Sequence, residues 1–126
     1  MNTGSIECRN SYSVLIVEDN LLMRKILEGY LAELGHIVVA AENGRQALEL
    51  LETRHFPIVI TDLIMPEMGG IELCREIRRR SFEGYVYLVM LTSQDSKDEL
   101  VRGLEAGADE YLIKPVNRAE LAMRLK

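Results

Sequence analysis

Acidic side chains end two apolar runs of this sequence, and a lysine ends a third. The four residues are Glu18, Asp19, Asp62 and Lys114. A carboxylate at the tip of a fully buried strand costs free energy, because charged groups are rarely buried unless they are paired. We therefore interpret Asp62 as a residue that serves chemistry, with a simple strand-end turn as the alternative. For the acidic pair, a favourable interaction with a helix N-terminus is a second role that does not exclude metal binding.

If these carboxylates lie close together in the fold, their mutual repulsion must be compensated by positive charge. Two unit charges about 4 Å apart repel by roughly 4 kcal/mol at an effective dielectric constant of 20, and Lys114 offers a single compensating charge. Mg²⁺ would compensate the negative charge that remains, because it binds carboxylate and phosphoryl oxygens. Thr92 ends a fourth apolar run and adds a hydroxyl. A metal and a lysine beside a carboxylate favour acceptance of a phosphoryl group, with Mg²⁺ as the cofactor.

Five apolar runs of strand length carry these residues. They lack polar alternation, which is typical of strands that are covered on both faces of a parallel sheet. The runs are residues 13–17, 37–40, 58–62, 85–92 and 110–113.

The intervening segments have helical periodicity. Leu22, Ile26, Tyr30 and Leu34 repeat every four residues and predict the apolar face of the first helix. The order βαβαβαβαβα predicts an α/β fold with a single doubly wound five-stranded parallel sheet, in the order 2-1-3-4-5, as a flavodoxin-like three-layer sandwich. Ligands of such sheets bind beyond the carboxyl ends of the strands, where the strand order reverses. The charged residues are therefore predicted to converge at that edge.

Length and composition limit the function classes. The chain has 126 residues, which suits one domain, and 48% of them are hydrophobic. Its net charge of −5 argues against direct binding of nucleic acid or of an anionic membrane. The longest apolar run, 85–91, is too short to span a bilayer, and the N-terminus lacks signal-peptide regions, so we predict a cytoplasmic protein. Cys8 and Cys74 have no metal-binding spacing and are predicted to be reduced thiols.

The domain organisation is predicted to be simple. Residues 1–12 are polar and are expected to form a flexible leader, and residues 13–126 are expected to form the domain. The fifth predicted helix stops at Lys126, which suggests a fragment of a longer protein.

Taken in order, the motifs resemble the receiver domain of two-component response regulators. The resemblance runs from Val14 to about Leu125, and the segments that carry it are 17–20, 61–70, 91–93, 103–109 and 114–115. It implies that Asp62 accepts a phosphoryl group from the phosphohistidine of a sensor histidine kinase or phosphotransfer protein. It also implies that Mg²⁺ is bound by the residues Glu18, Asp19, Asp62 and Ile64, the last through its backbone carbonyl.

The resemblance assigns further roles at the ends of the last two strands. Lys114 contacts the phosphoryl oxygens, Thr92 bonds to the phosphoryl group, and Tyr111 is the aromatic switch residue that then swings inward. The Lys114–Pro115 peptide bond is expected to be cis. The surface of the fourth helix, fifth strand and fifth helix, residues 97–126, would change for a partner, a C-terminal output domain or a second copy of the chain.

Two positions depart from the usual family pattern. Ile64 and Gln94 occupy sites that modulate the access of hydrolytic water in this family, and an apolar Ile64 suggests slow loss of the phosphoryl group. The output domain could bind DNA, make or cleave a cyclic dinucleotide, or be absent. The chain is expected to have no turnover of an external small molecule.

Other interpretations stay open at this point. A phosphatase of the haloacid-dehalogenase class would need a second acid where Ile64 stands, and a flavodoxin-like flavin binder would need a phosphate loop where Glu18 and Asp19 stand. A degenerate receiver that serves as a binding scaffold would lack site residues. Tyr111 could be a half-buried core residue, and Arg78, Arg79 and Arg80 are predicted to form a solvated helix end.

Overall fold

Five parallel strands alternate with five helices in the computed structural model. It describes residues 11–65, 67–80, 82, 84–93 and 97–125, so the predictions for Cys8, Gln94 and most of the leader lie outside the described residues. The strands are β1 (Ser13–Val17), β2 (Ile37–Ala41), β3 (Ile58–Asp62), β4 (Tyr87–Thr92) and β5 (Glu110–Ile113). The helices are α1 (Leu21–Glu33), α2 (Gly44–Thr53), α3 (Gly70–Arg79), α4 (Lys97–Glu105) and α5 (Arg118–Arg124).

The sheet has the order β2-β1-β3-β4-β5, and every pair of neighbours is parallel. This arrangement confirms the predicted fold class. No helix in the described part of the chain is both long and apolar enough to cross a membrane.

Buried side chains form one cluster on each face of the sheet. Leu15 and Val17 of β1 face a cluster that includes residues of α2 and α3, whereas Val14 and Ile16 face a cluster with residues of α1 and α5. Successive strand residues point to opposite faces, so both sets must be apolar. This explains why the strands appear in the sequence as unbroken apolar runs.

The apolar face predicted for α1 is confirmed in part: Tyr30 and Leu34 pack against the buried cluster, but Leu22 and Ile26 do not. Leu27 and Leu31 are buried, whereas Leu22 is 71% exposed and Ile26 is also exposed. The row Met23, Leu27 and Leu31 has the same four-residue spacing as the row that begins at Leu22, and packing against the sheet decides between them.

The structure also corrects the predictions around Arg78. Its guanidinium donates hydrogen bonds to the carbonyl oxygens of Gly107 and Val86, at 2.9 and 2.8 Å, and to Asp109 at 2.8 Å. Arg78 also lies over the ring of Tyr85, so it is not a solvated residue. β4 begins at Tyr87, where its pairing with Ile58 of β3 starts, and not at residue 85 as predicted. Arg79, by contrast, is exposed and pairs with Glu76.

The described cysteine, Cys74, is buried and free. Burial raises the pKa of its thiol to about 11, since the low-dielectric surroundings disfavour the thiolate. This agrees with the predicted reduced thiol.

Candidate functional site

The acidic residues meet where β1 lies beside β3. Val17 of β1 is in register with Thr61 of β3, so the next residue on each strand, Glu18 and Asp62, reach the same edge of the sheet. One carboxylate oxygen from each of Glu18, Asp19 and Asp62 lies within 4.8 Å of the others. Glu18 is 1% exposed and Asp62 is 8% exposed, whereas Asp19 lies at the surface. The cluster is therefore a largely buried negative charge with one side open to solvent.

Lys114 enters this cluster from the end of β5. Its Nζ lies 2.9 Å from Asp62 Oδ1 and 3.5 Å from Glu18 Oε1. Its backbone N–H donates to the Thr92 carbonyl at 2.8 Å, and the Lys114–Pro115 peptide bond is cis as the resemblance implies. Burial lowers the pKa of the ammonium, but the hydrogen bond and charge of Asp62, together with Glu18, outweigh it and hold that pKa above its usual value.

Glu18 has a buried oxygen without a hydrogen-bond partner. Its Oε2 accepts from the Asn20 N–H at 3.1 Å, whereas Oε1 has no such bond. Burial raises the pKa of the Glu18 carboxyl, although the Asn20 amide opposes this effect; the Asp62 charge also raises it and Lys114 lowers it. A buried acceptor without a hydrogen bond costs free energy, here with the Lys114 ammonium 3.5 Å away as its charged neighbour. The residues present fit a hard divalent cation, which would bind this oxygen and neutralise its neighbours.

A cleft of about 160 Å³ lies beside the carboxylates. It is lined by Asp62, Leu63, Ile64, Leu91, Thr92, Ser93 and Lys114. Thr92 is buried, and its hydroxyl donates to the Ser93 carbonyl at 3.2 Å. The Ile64 side chain is 64% exposed at the rim. Thr92 and Lys114 are thus brought to Asp62 by β4 and β5, from distant parts of the sequence.

Tyr111 lies outside this cleft. Its side chain is 38% exposed and lines a second surface groove, of about 680 Å³, together with Leu104, Ile113 and also Lys114, which lines both. Among the predicted site residues, Tyr111 is therefore the one that the structure places away from the carboxylates.

The sequence analysis assigned no role to two residues that support the site. Arg24 donates from Nη1 to the Glu18 carbonyl oxygen at 2.7 Å. Asn20 caps α1 by accepting from the Met23 N–H at 2.9 Å. A polar residue such as asparagine directly before an apolar-periodic helix is a readable N-cap signal, whereas no motif marks an arginine one turn further along.

Gly70 lets α3 approach the site closely. Its N–H donates to the Leu63 carbonyl at 2.8 Å. A Cβ at this position would overlap the Asp62 carbonyl oxygen and lie 2.9 Å from Met90 Sδ. Glycine therefore permits the contact between the start of α3 and the end of β3.

The fold and this acidic cleft place the chain in a class of signalling domains. Residues 14–126 match the family model of the response regulator receiver domain, and the chain belongs to this family. The family assignment decides against the phosphatase and flavin-binding alternatives.

Particular relatives extend the comparison. The chain is 39% identical over 96% of its length to a "Probable transcriptional regulator ycf27" of Guillardia theta, of which it covers 46%. The chain thus spans about half the length of the curated relatives it matches first.

Solved structures show the same fold. The receiver domain of a sensor histidine kinase from Pseudomonas aeruginosa, with a magnesium ion coordinated in its active site cleft, has a TM-score of 0.84 and 31% identity, over 91% of this chain and 94% of that one. The receiver domain of Ssk1 from Saccharomyces cerevisiae, in complex with the histidine phosphotransfer protein Ypd1, has a TM-score of 0.82 and 30% identity, over 91% and 86% of the two chains.

Proposed function

We propose that this receiver is a phosphorylation-driven switch in which Asp62 accepts the phosphoryl group. The donor is a phosphohistidine on a sensor histidine kinase or histidine phosphotransfer protein. A carboxylate oxygen of Asp62 attacks phosphorus, the P–O bond forms while the P–N bond breaks, and the imidazole keeps the electron pair and takes a proton from water. The product on this chain is an acyl phosphate. The contact of Lys114 Nζ with Asp62 Oδ1, at 2.9 Å inside the acidic cluster, carries this proposal.

Glu18, Asp19 and Asp62 would hold Mg²⁺, together with the backbone carbonyl of Ile64. The buried Glu18 oxygen that has no hydrogen bond and the proximity of the three carboxylates support this assignment. When bound, the ion supplies positive charge to the phosphoryl oxygens. The magnesium ion in the cleft of the Pseudomonas aeruginosa relative is further support.

Lys114 and Thr92 act on the phosphoryl group after transfer. The Lys114 ammonium neutralises phosphoryl oxygens, since it already lies against the acceptor carboxylate. The Thr92 hydroxyl exchanges its long bond to the Ser93 carbonyl for one to a phosphoryl oxygen. The half-exposed ring of Tyr111 then moves inward toward the space that Thr92 leaves.

The output surface in this proposal is formed by α4, β5 and α5. It exposes a set of large apolar side chains: Val101, Leu104, Tyr111, Ile113 and Met123. Such residues suit contact with a partner, an output domain or a second copy of the chain. The relatives that extend beyond the matched region are consistent with an output domain.

The phosphodonor protein would dock near the start of α1. Leu21, Leu22 and Ile26 are exposed there, directly after the loop that carries the acidic pair. Exposed apolar residues beside a reactive carboxylate suit a partner that must bring its phosphohistidine to Asp62. The complex of Ypd1 with the Ssk1 receiver supports a partner of this kind.

Loss of the phosphoryl group is proposed to be slow and to be the chain's only hydrolytic reaction. Ile64 covers the rim of the cleft with an apolar side chain, which cannot orient a water molecule by hydrogen bonding. A half-life of only seconds for the acyl phosphate would contradict this part of the proposal.

Intact mass spectrometry after treatment with a small phosphodonor and MgCl₂ tests the proposal. The expected result is the addition of one phosphoryl group, because Asp62 is the carboxylate that both lines the described cleft and lies within 2.9 Å of Lys114 Nζ. The adduct should be absent in Asp62→Asn and when EDTA replaces MgCl₂. An adduct that persists in Asp62→Asn would show that another residue is the acceptor.

A further inference from the structure

Arg24 is a positively charged residue that supports the acidic site. In the described contacts its side chain touches no carboxylate, and it is the one supporting side chain of this kind. It lies in the second turn of α1, and its Nη1 donates to the Glu18 backbone carbonyl at 2.7 Å. Its own backbone N–H donates to the Asn20 carbonyl at 2.9 Å. The side chain is half-buried, so the guanidinium bridges the helix and the loop that precedes it.

The contact completes a set of bonds that fixes Glu18. The Glu18 N–H donates to the Ala41 carbonyl at 3.0 Å, and Oε2 accepts from the Asn20 N–H at 3.1 Å. With the carbonyl held by Arg24, Oε1 is the remaining polar atom of the residue; it has no hydrogen bond and lies 3.5 Å from Lys114 Nζ. The bonds to Glu18 therefore determine where this oxygen points.

We propose that Arg24 is a positioning residue for the cation site: it holds the Glu18 main chain so that Oε1 faces the ion. The inference rests on the proposed function, since it assumes that the carboxylates bind Mg²⁺. Groups that orient metal ligands from outside the coordination sphere typically change metal affinity by about 10- to 100-fold when they are removed.

The positive charge of Arg24 means that a positioning role and a purely electrostatic role change the affinity for Mg²⁺ in opposite directions. A guanidinium near a divalent cation repels it, so loss of the charge alone would strengthen Mg²⁺ binding. Loss of the hydrogen bond to the Glu18 carbonyl would weaken binding, because Oε1 would lose its fixed direction. The two effects are opposite, and the direction of the change identifies the role.

Lys25 provides the matched control. It is the next residue of α1, carries the same charge, and has a side chain that is 68% exposed with Nζ 3.6 Å from Glu28. Lys25→Met removes a charge from the same helix without a contact to the Glu18 loop. Any gain in Mg²⁺ affinity that comes from removing a positive charge should therefore appear in Lys25→Met. If Arg24 had no positioning role, the same gain should appear in Arg24→Met.

Isothermal titration of each variant with MgCl₂ is the test. We expect the dissociation constant for Mg²⁺ to rise about tenfold in Arg24→Met and to stay equal or fall slightly in Lys25→Met. Arg24→Gln, which keeps a polar side chain, should change in the same direction and replaces Arg24→Met if the latter folds poorly. Urea unfolding in EDTA measures separately how much each variant affects stability.

Phosphorylation by a small donor supplies a second readout. Arg24→Met should react slowly at low MgCl₂ and regain the wild-type rate at saturating MgCl₂, since Asp62, Thr92 and Lys114 are unchanged. Mg²⁺ binding by Arg24→Met that is as tight as in Lys25→Met, or a rate that saturating MgCl₂ does not restore, would overturn the positioning role alone. A wild-type chain that binds no Mg²⁺ would overturn the proposed function as well.

Discussion

The Asp62 carboxylate is oriented by the main chain as well as by its charged partner. The Leu63 N–H donates to Asp62 Oδ1 at 3.0 Å, and Lys114 Nζ contacts the same oxygen at 2.9 Å. Both contacts use Oδ1, so in the proposed transfer Oδ2 would be the oxygen that bonds to phosphorus. An acceptor held at one oxygen and available at the other is pre-organised for attack on phosphorus.

At the residue scale, replacing Gly70 by alanine should destabilise the fold. The new Cβ would overlap the Asp62 carbonyl oxygen, which is backbone and cannot move aside as a side chain can. We expect Gly70→Ala to lower the free energy of unfolding by about 1–3 kcal/mol, as is typical of overpacking in a core. Urea denaturation followed by circular dichroism measures this change.

Gly29→Ala is the control for this substitution. Gly29 lies within α1, and apart from the neighbouring backbone of its own helix a Cβ there would meet no atom within 4 Å. Alanine is favoured over glycine inside a helix by about 0.8–1.0 kcal/mol, so this variant should be more stable than the wild type. Equal effects of the two substitutions would contradict the close approach of α3 to Asp62.

At the element scale, the sequence predicted the existence of every strand and helix but not every contact. Continuous apolar runs with helical segments between them identify a parallel α/β sheet, because both faces of each strand are buried. The buried face of α1 was ambiguous, since rows starting at Leu22 and Met23 have equal spacing. Only packing against β1 and α5 distinguishes them, and spacing along one helix does not contain that information.

Arg78 illustrates the same limit for a charged residue. A basic run at a helix C-terminus is usually solvated, and it complements the helix dipole. Here the α4–β5 connection passes close to α3, and Gly107, with φ of +120°, would place a Cβ 2.6 Å from Arg78 Cγ. Two of the partners of Arg78 are backbone carbonyls, which no residue type in the sequence reveals.

We therefore expect Arg78→Met to destabilise the domain far more than Arg79→Met. The first variant leaves the Gly107 and Val86 carbonyls and Asp109 without the guanidinium, and an unsatisfied buried group costs about 1–3 kcal/mol. The second removes an exposed charge pair with Glu76, and pairs of this kind contribute little to stability because solvent screens them. Urea unfolding of both variants provides the comparison, and similar midpoints would argue against a structural role for Arg78.

At the scale of the whole molecule, the strand order explains why distant residues meet. β1 pairs with both β2 and β3, so the sheet reverses its order beside β1 and leaves a crevice at the carboxyl ends of β1 and β3. The sequence predicted the members of the acidic cluster from their positions at strand ends. It did not predict Arg24, whose contribution depends on how α1 turns back over its preceding loop.

The exposed residues at the start of α1 should matter only when the phosphodonor is a protein. Leu22 is 71% exposed in the helix that follows the acidic loop, and a buried leucine at an interface contributes about 1.5–3 kcal/mol. We expect Leu22→Asp to reduce the rate of transfer from a histidine phosphotransfer protein at least about tenfold, since about 1.4 kcal/mol corresponds to that factor. The rate with a small phosphodonor should not change.

Ile37→Asp, at an exposed position of the edge strand β2, is the control and should leave both rates unaltered. A parallel loss with both donors in Leu22→Asp would mean that the substitution disturbs the carboxylates and that the partner docks elsewhere.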